Sequence, residues 1–172
     1  MNLQDKIFLR LDNIFKGKEP FDRDFVKQIL NEDIPNIIKA AALVNLGKYG
    51  EESDVFIIID KIKSDDQRLR INAIKALVLS KSPLVYAFLL DYIGDEENKI
   101  SEFSLKYCLK EDFQKTFEYT EIRVKNSKDI NTLKRILKAF STIQHDEARR
   151  FKVFINKHIK RLENTGLSPD EF

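Results

Sequence analysis

Few side chains in this chain of 172 residues have the type and spacing to do chemistry. His145, Asp146 and Glu147, in "QHDEARR", could hold a metal ion or act as base and acid. At a helix start the same two carboxylates favour the dipole and cap the first turn, which is the simpler reading. His158 falls on an apolar helix stripe and is expected to be partly buried. Asp60 and Asp91 recur in similar helices, but one interhelical spacing of roughly 10 Å is wide for paired carboxylates. No Lys, Tyr or His completes an acid/base set beside them. The chain has no glycine-rich phosphate loop, no HExxH and no Cys or His pair at metal spacing. Its one cysteine, Cys108, excludes an intrachain disulfide and reads as a small buried hydrophobe. The expectation is a protein with no catalytic residue, no metal and no cofactor, hence not an enzyme.

The elements that must position these residues are helices. Hydrophobic residues make up 42% of the chain and charged residues 34%, while Gly (5) and Pro (4) are too scarce for the closely spaced turns of an all-β chain. Apolar residues recur at i, i+3, i+4 and i+7 almost throughout. The pattern predicts ten helices, near residues 2–16, 22–31, 34–48, 53–63, 66–80, 83–93, 97–109, 113–126, 129–144 and 146–163. Asp33 with Pro35, Ser53, Ser64 to Asp66, Ser82 with Pro83, and Asp129 suit helix starts. Gly17, Gly50, Gly94 and Gly166 suit the turns that end helices. The chain is expected to be one all-α domain over 1–165 with a frayed tail at 166–172. No apolar run reaches the 18 residues a membrane span needs, and the N-terminus carries acids through its apolar part, so a cytoplasmic location is expected.

The helices repeat. "ESDVFIIIDKI" (52–62) lies over "SPLVYAFLLDYI" (82–93) at an offset of 31, with Asp60 on Asp91. "AALVNLGK" (41–48) lies over "KALVLSK" (75–81) at 34. "DEENKISEFSLKYCL" sets Ile100 over Leu69 and Ser104 over Ala73, again at 31. Five pairs of about 33 residues would use the whole chain.

An acidic turn followed by an aliphatic residue and then Ala and Leu, as in "DDQRLRINAIKAL" (65–77), resembles the HEAT-type α-solenoid repeat, best over residues 31–110. The resemblance implies a right-handed α-solenoid of about five antiparallel helix pairs; an irregular helical bundle is the alternative. It also implies that Ala73 and Ser104 let helices cross closely, with Lys39 or Ala40 as the earlier equivalent. Some HEAT-like proteins are alkylpurine DNA glycosylases that rely on tryptophans, and this chain has none.

A solenoid lines an extended surface with the second helix of each pair. In helix 53–63 the stripe Val55, Ile58, Ile59 and Ile62 faces the core, which turns Ile57, Asp60 and Lys61 outward. Phe88, Asp91 and Tyr92 hold the equivalent places one repeat on, and Tyr119, Ile122 and Arg123 the next, in a register that puts Thr120 and Glu121 on the core side. Aromatic anchors ringed by charge suit a protein-binding groove. Charge is uneven: residues 1–119 hold 18 Lys+Arg against 21 Asp+Glu, and residues 120–172 hold 12 against 7. In the last helix Ala148, Phe151, Ile155, His158, Ile159 and Leu162 form the core stripe. Arg149, Arg150, Lys157 and Lys160 point away and could meet phosphates or an acidic partner.

The reading that follows is a non-enzymatic protein-binding module. Its specific form is a bacterial immunity protein that occludes a toxin's active site, with Asp60 and Asp91 pairing with the toxin's basic residues. The alternative is nucleic-acid binding through the basic last helices.

Overall fold

The computed structural model describes residues 2–165; Gly166 and the tail 166–172 lie outside the described residues. Among these residues there are ten α-helices, one 3-10 turn and no strand. They are α1 (Leu3–Phe15), α2 (Arg23–Asn31), α3 (Asn36–Tyr49), α4 (Val55–Ile62), α5 (Gln67–Leu79), α6 (Leu84–Asp91), α7 (Asn98–Glu111), α8 (Phe113–Asn126), α9 (Ile130–Ser141) and α10 (Asp146–Asn164), with the 3-10 turn Glu52–Asp54 before α4. The all-α class and all ten helices agree with the periodicity. No helix among the described residues is long and apolar enough to cross a membrane.

The starts follow from local chemistry. Asp66 accepts the Leu69 amide at the head of α5, and Asp129 accepts that of Asn131 at the head of α9, so each satisfies a donor the helix leaves orphaned. Ser82 Oγ takes the Leu84 amide at 3.3 Å. At α3 the expectation differs in detail, because Pro35 itself occupies the cap position and no side chain caps the helix. Gly17 and Gly94 adopt φ of 72° and 97°, the left-handed turns expected of them. Gly50 has an ordinary φ of −70°. A Cβ there would lie 2.3 Å from Leu46 O and 2.8 Å from Asp54 Oδ2, so crowding rather than torsion selects glycine.

The chain forms two compact units, divided between Val85 and Tyr86 inside α6. In the first unit α3 is the centre, packed against α1, α2, α4 and α5. Its tightest neighbour is α5: a Cβ on Gly47 would fall 2.1 Å from Ala76 O. Ala73 of α5 is buried, as are Ala40 and Ala42 of α3, while Lys39 is half-buried. In the second unit α7 packs on α8 and α9, and α10 packs on α9 and α8. Ser104, Thr116 and Thr120 are fully buried there; both threonines donate back into their own helix, to Asp112 O at 2.6 Å and Thr116 O at 2.7 Å. Thr120 therefore does lie on the core side, while Glu121 is only half-buried.

Candidate functional site

The face expected to bind a partner divides between the units. In the first, Asp60 is exposed and its Oδ2 takes Lys61 Nζ at 3.1 Å, while Ile57 is half-buried. The large apolar side chain that α4 presents to solvent is Phe56, 64% exposed. Helical phase explains the correction: α4 is turned about its axis so that Ile57 and Lys61 lean inward and Phe56 comes out, a shift that a symmetric apolar stripe does not reveal.

In the second unit Phe88 on α6 and Tyr92 in the turn after it are half-buried, and Asp91 is exposed. Tyr119 Oη donates to Asp91 Oδ1 at 2.5 Å. Arg123 Nη1 donates to Asp91 O at 3.0 Å and Ile93 O at 2.7 Å, satisfying carbonyls that the end of α6 leaves open. Burial, and then the adjacent Asp91, push the Tyr119 hydroxyl's pKa upward. Asp91, Tyr119 and Arg123 thus hold α8 against the end of α6. The exposed apolar residue on α8 is Ile122, at 60%, rather than Tyr119.

On α10 the expected stripe is largely in place: Ala148, Phe151, Ile155 and Ile159 are buried, and His158 and Leu162 are half-buried. His158 Nε2 lies 3.1 Å from Ser127 O, so its proton sits on Nε2. Arg149, Arg150, Lys157 and Lys160 are all exposed, and Arg149 reaches Asp146 at 3.7 Å. His145 occupies the cap position, its Nδ1 accepting the Glu147 amide at 3.3 Å and its ring 4.7 Å from that of Phe113. No group of three metal-ligating side chains gathers among the described residues. Cys108 is fully buried and its thiol is pushed up to about 12 by burial and then by Glu111.

Three features escape the sequence pattern. Asp54, 1% exposed, is gripped through Arg23 Nε and Nη2 at 3.0 and 2.9 Å, Lys27 Nζ at 2.8 Å and the Glu51 amide at 2.9 Å. Burial pushes its carboxyl up, but the hydrogen bonds from Arg23 and Lys27 outweigh it and hold the pKa below the usual carboxylate value. The second feature is a cleft of about 330 Å³ in the first unit, between α1, α3 and α5, lined by Phe8, Leu11, Phe15, Ile37, Ala40, Ala41 and Val44, with Asp12, Asn45, Arg68 and Asn72. The third is a groove of about 350 Å³ between α8 and α10, with Phe117, Phe151 and Phe154 among charged residues.

No family model matches this chain. No curated protein and no solved structure matches it either.

The cleft's rim is the informative part. Phe8 and Ile37 are 44% and 48% exposed, and Leu9 beside Phe8 is 47% exposed. The polar groups around it are structural: Asp12 Oδ2 pairs with Lys16 at 2.6 Å, and Asn45 Nδ2 donates to Leu11 O and Ala41 O, both at 3.0 Å, joining α1 to α3. Asn45 Oδ1 has no hydrogen-bond partner among the described residues. The arrangement is an apolar hollow with room for a side chain, and its one carboxylate, Asp12, is paired with Lys16.

Proposed function

We propose that this chain is a non-enzymatic protein-binding module built of HEAT-like helix pairs, and that the α1/α3/α5 cleft takes an apolar anchor from its partner. The observation that carries the reading is the cleft itself: an apolar hollow of about 330 Å³ with Phe8 and Ile37 left nearly half exposed at its rim. Large apolar side chains grouped around a hollow are costly to leave in water and are the usual anchor points of interfaces.

Two features support the repeat reading. Within each unit helices pack on their second neighbours, α1 on α3 and α3 on α5 in one, α7 on α9 and α8 on α10 in the other. Side-chain hydrogen bonds recur at one repeat's separation: Asn45 to Leu11 at 34 residues, Lys48 to Phe15 at 33, Arg123 to Leu90 at 33, and Arg23 to Asp54 and His158 to Ser127 at 31. A right-handed solenoid of stacked pairs is the architecture that such a spacing suits. The toxin-occluding form of the proposal draws less support, since Asp91 already accepts from Tyr119 and Asp60 from Lys61.

Affinity capture from the host lysate with the wild type, Ile37→Asp and Asp60→Lys tests the reading. A discrete protein captured by the wild type and by Asp60→Lys, and lost with Ile37→Asp, is the expected result. Capture indifferent to Ile37→Asp sinks the cleft as the anchor site. A second reading, nucleic-acid binding, rests on exposed cations of α10, Arg149, Arg150, Lys157 and Lys160 among them. It predicts retention of DNA or RNA that falls steeply between about 50 and 200 mM salt and disappears with Arg149→Glu/Lys157→Glu.

A further inference from the structure

The groove between α8 and α10 has a floor and a rim of different chemistry. The floor is a fixed aromatic cluster. Phe117 and Phe151 meet edge to face at 5.5 Å, and Phe151 and Phe154 stack at 5.7 Å. Phe140, fully buried, contacts Phe117 at 5.4 Å and Phe151 at 4.8 Å. Such rings hold their positions through one another, so the floor is formed before anything binds. Phe151 is 7% exposed, whereas Phe117 and Phe154 are half-open to the groove.

The rim carries Glu118 and Glu121 from α8 and Glu147 from α10, against Arg150 in the lining and Lys125, which pairs with Glu121 at 2.7 Å. This acidic edge runs against its surroundings, since residues 120–172 carry 12 Lys+Arg and 7 Asp+Glu. A local excess of carboxylates over an aromatic floor selects cations that bring apolar surface with them. The chain supplies an example of its own. Lys125 Nζ lies 2.7 Å from Glu121 Oε1 and 6.0 Å from the centre of the Phe154 ring, an ammonium held by carboxylate and ring together.

We propose that the α8–α10 groove docks a basic segment of another protein, with one apolar side chain seated on Phe117, Phe151 and Phe154 and flanking lysines or arginines on Glu118 and Glu147. The volume of about 350 Å³ suits a single side-chain anchor rather than a whole element. The cations on either side then fix register and speed association more than they add affinity. An acidic segment is rejected by the same carboxylates, and so is a phosphate backbone. The groove is therefore distinct in chemistry from the exposed cations Arg149, Lys157 and Lys160 on the same helix. The inference goes beyond the α1/α3/α5 cleft, which lies in the other unit and asks nothing of its partner's charge.

Fluorescence anisotropy with two labelled twelve-residue peptides decides it. One has a central Phe flanked by Lys and Leu, and the other has Glu in place of every Lys. The full chain binds the basic peptide and not the acidic one. Glu118→Lys/Glu147→Lys weakens binding about tenfold, the scale of two exposed ion pairs turned repulsive. Phe154→Ala weakens it about fivefold, while Asp33→Lys, a charge reversal in the first unit, changes it less than about twofold. Amide shifts in a nitrogen–proton correlation spectrum move on α8 and α10. Glu118→Lys/Glu147→Lys alters only exposed side chains, and an unchanged circular dichroism melt shows that it stays folded. Equal binding of both peptides, equal loss with Asp33→Lys, or shifts confined to the first unit overturns the proposal. Each of these outcomes leaves the result with Ile37→Asp untouched.

Discussion

Gly47→Ala is the sharpest test of how the first unit is packed. An alanine Cβ at this position would stand 2.1 Å from Ala76 O, 2.6 Å from Ala76 C and 2.7 Å from Ala76 Cα, where ordinary contact begins at 3.4 Å. All three are backbone atoms of α5, so no side-chain rotation relieves the overlap and the two helices must part by roughly 1.3 Å. A radial gap of about 0.5–1 Å already forfeits a quarter to a half of each dispersion contact across the seam. Overpacking of this kind costs about 1–3 kcal/mol or more, against which alanine returns about 1 kcal/mol of helix propensity. Because α1, α2 and α4 also pack on α3, the displacement cannot stay local. The expected net loss is about 2 kcal/mol, a fall in melting temperature of roughly 4–8 °C for a chain of this size. Circular dichroism melts and urea titrations read it. If Gly47→Ala melts at or above the wild-type temperature, the close crossing does not constrain the fold. Ala76→Gly in the same background should give no rescue, because the clash is with backbone; restored stability would refute the geometry as well.

Further outcomes follow from the polar groups. Asp54→Asn leaves Arg23 and Lys27 facing a neutral amide and should cost about 3 kcal/mol, the scale for breaking a buried ion pair. Because the Asp54 pKa is lower in the folded chain than unfolded, its contribution is complete above the ordinary carboxylate value near 4 and is lost as pH falls through the lowered one; urea midpoints between pH 5 and 2 should fall more steeply for wild type than for Asp54→Asn. Tyr119→Phe and Asp91→Asn should each cost about 1 kcal/mol and show a coupling of similar size in a double-mutant cycle, whereas additive losses would mean that the 2.5 Å bond contributes nothing. Cys108, buried and with its thiol pushed up to about 12, should resist a thiol-disulfide reagent at pH 8 until urea unfolds the chain; rapid labelling of the native protein would contradict that environment.

Helix positions were legible because they depend on local rules. The 3.6-residue period, the aspartates at 66 and 129 and the glycines at 17 and 94 act within one or two turns of chain, and each appears where its chemistry requires. The α10 stripe was legible for the same reason. The proposed binding face was less so. Knowing that Val55, Ile58 and Ile62 point inward leaves the helix free to rotate by half a residue's angle, and that rotation decides between Ile57 and Phe56. Tyr119 and Arg123 were expected on the outward face of α8, yet they meet the end of α6.

The sequence by itself determined the all-α class and ten helices close to their observed bounds. Only the tertiary structure decided which polar and aromatic groups are consumed in holding helices together and which remain at the surface. Arg23, Lys27 and Asp54 look like ordinary surface charges in the chain and become two half-exposed cations closed over one buried carboxylate. Glu118, Glu121 and Glu147 lie on two separate helices, and become the rim of one groove when α8 and α10 meet. The physical reason is range. Caps and amphipathic periods act over about 5–10 Å along one helix, whereas a groove or an ion cluster exists only when side chains from separate helices are brought to the same place.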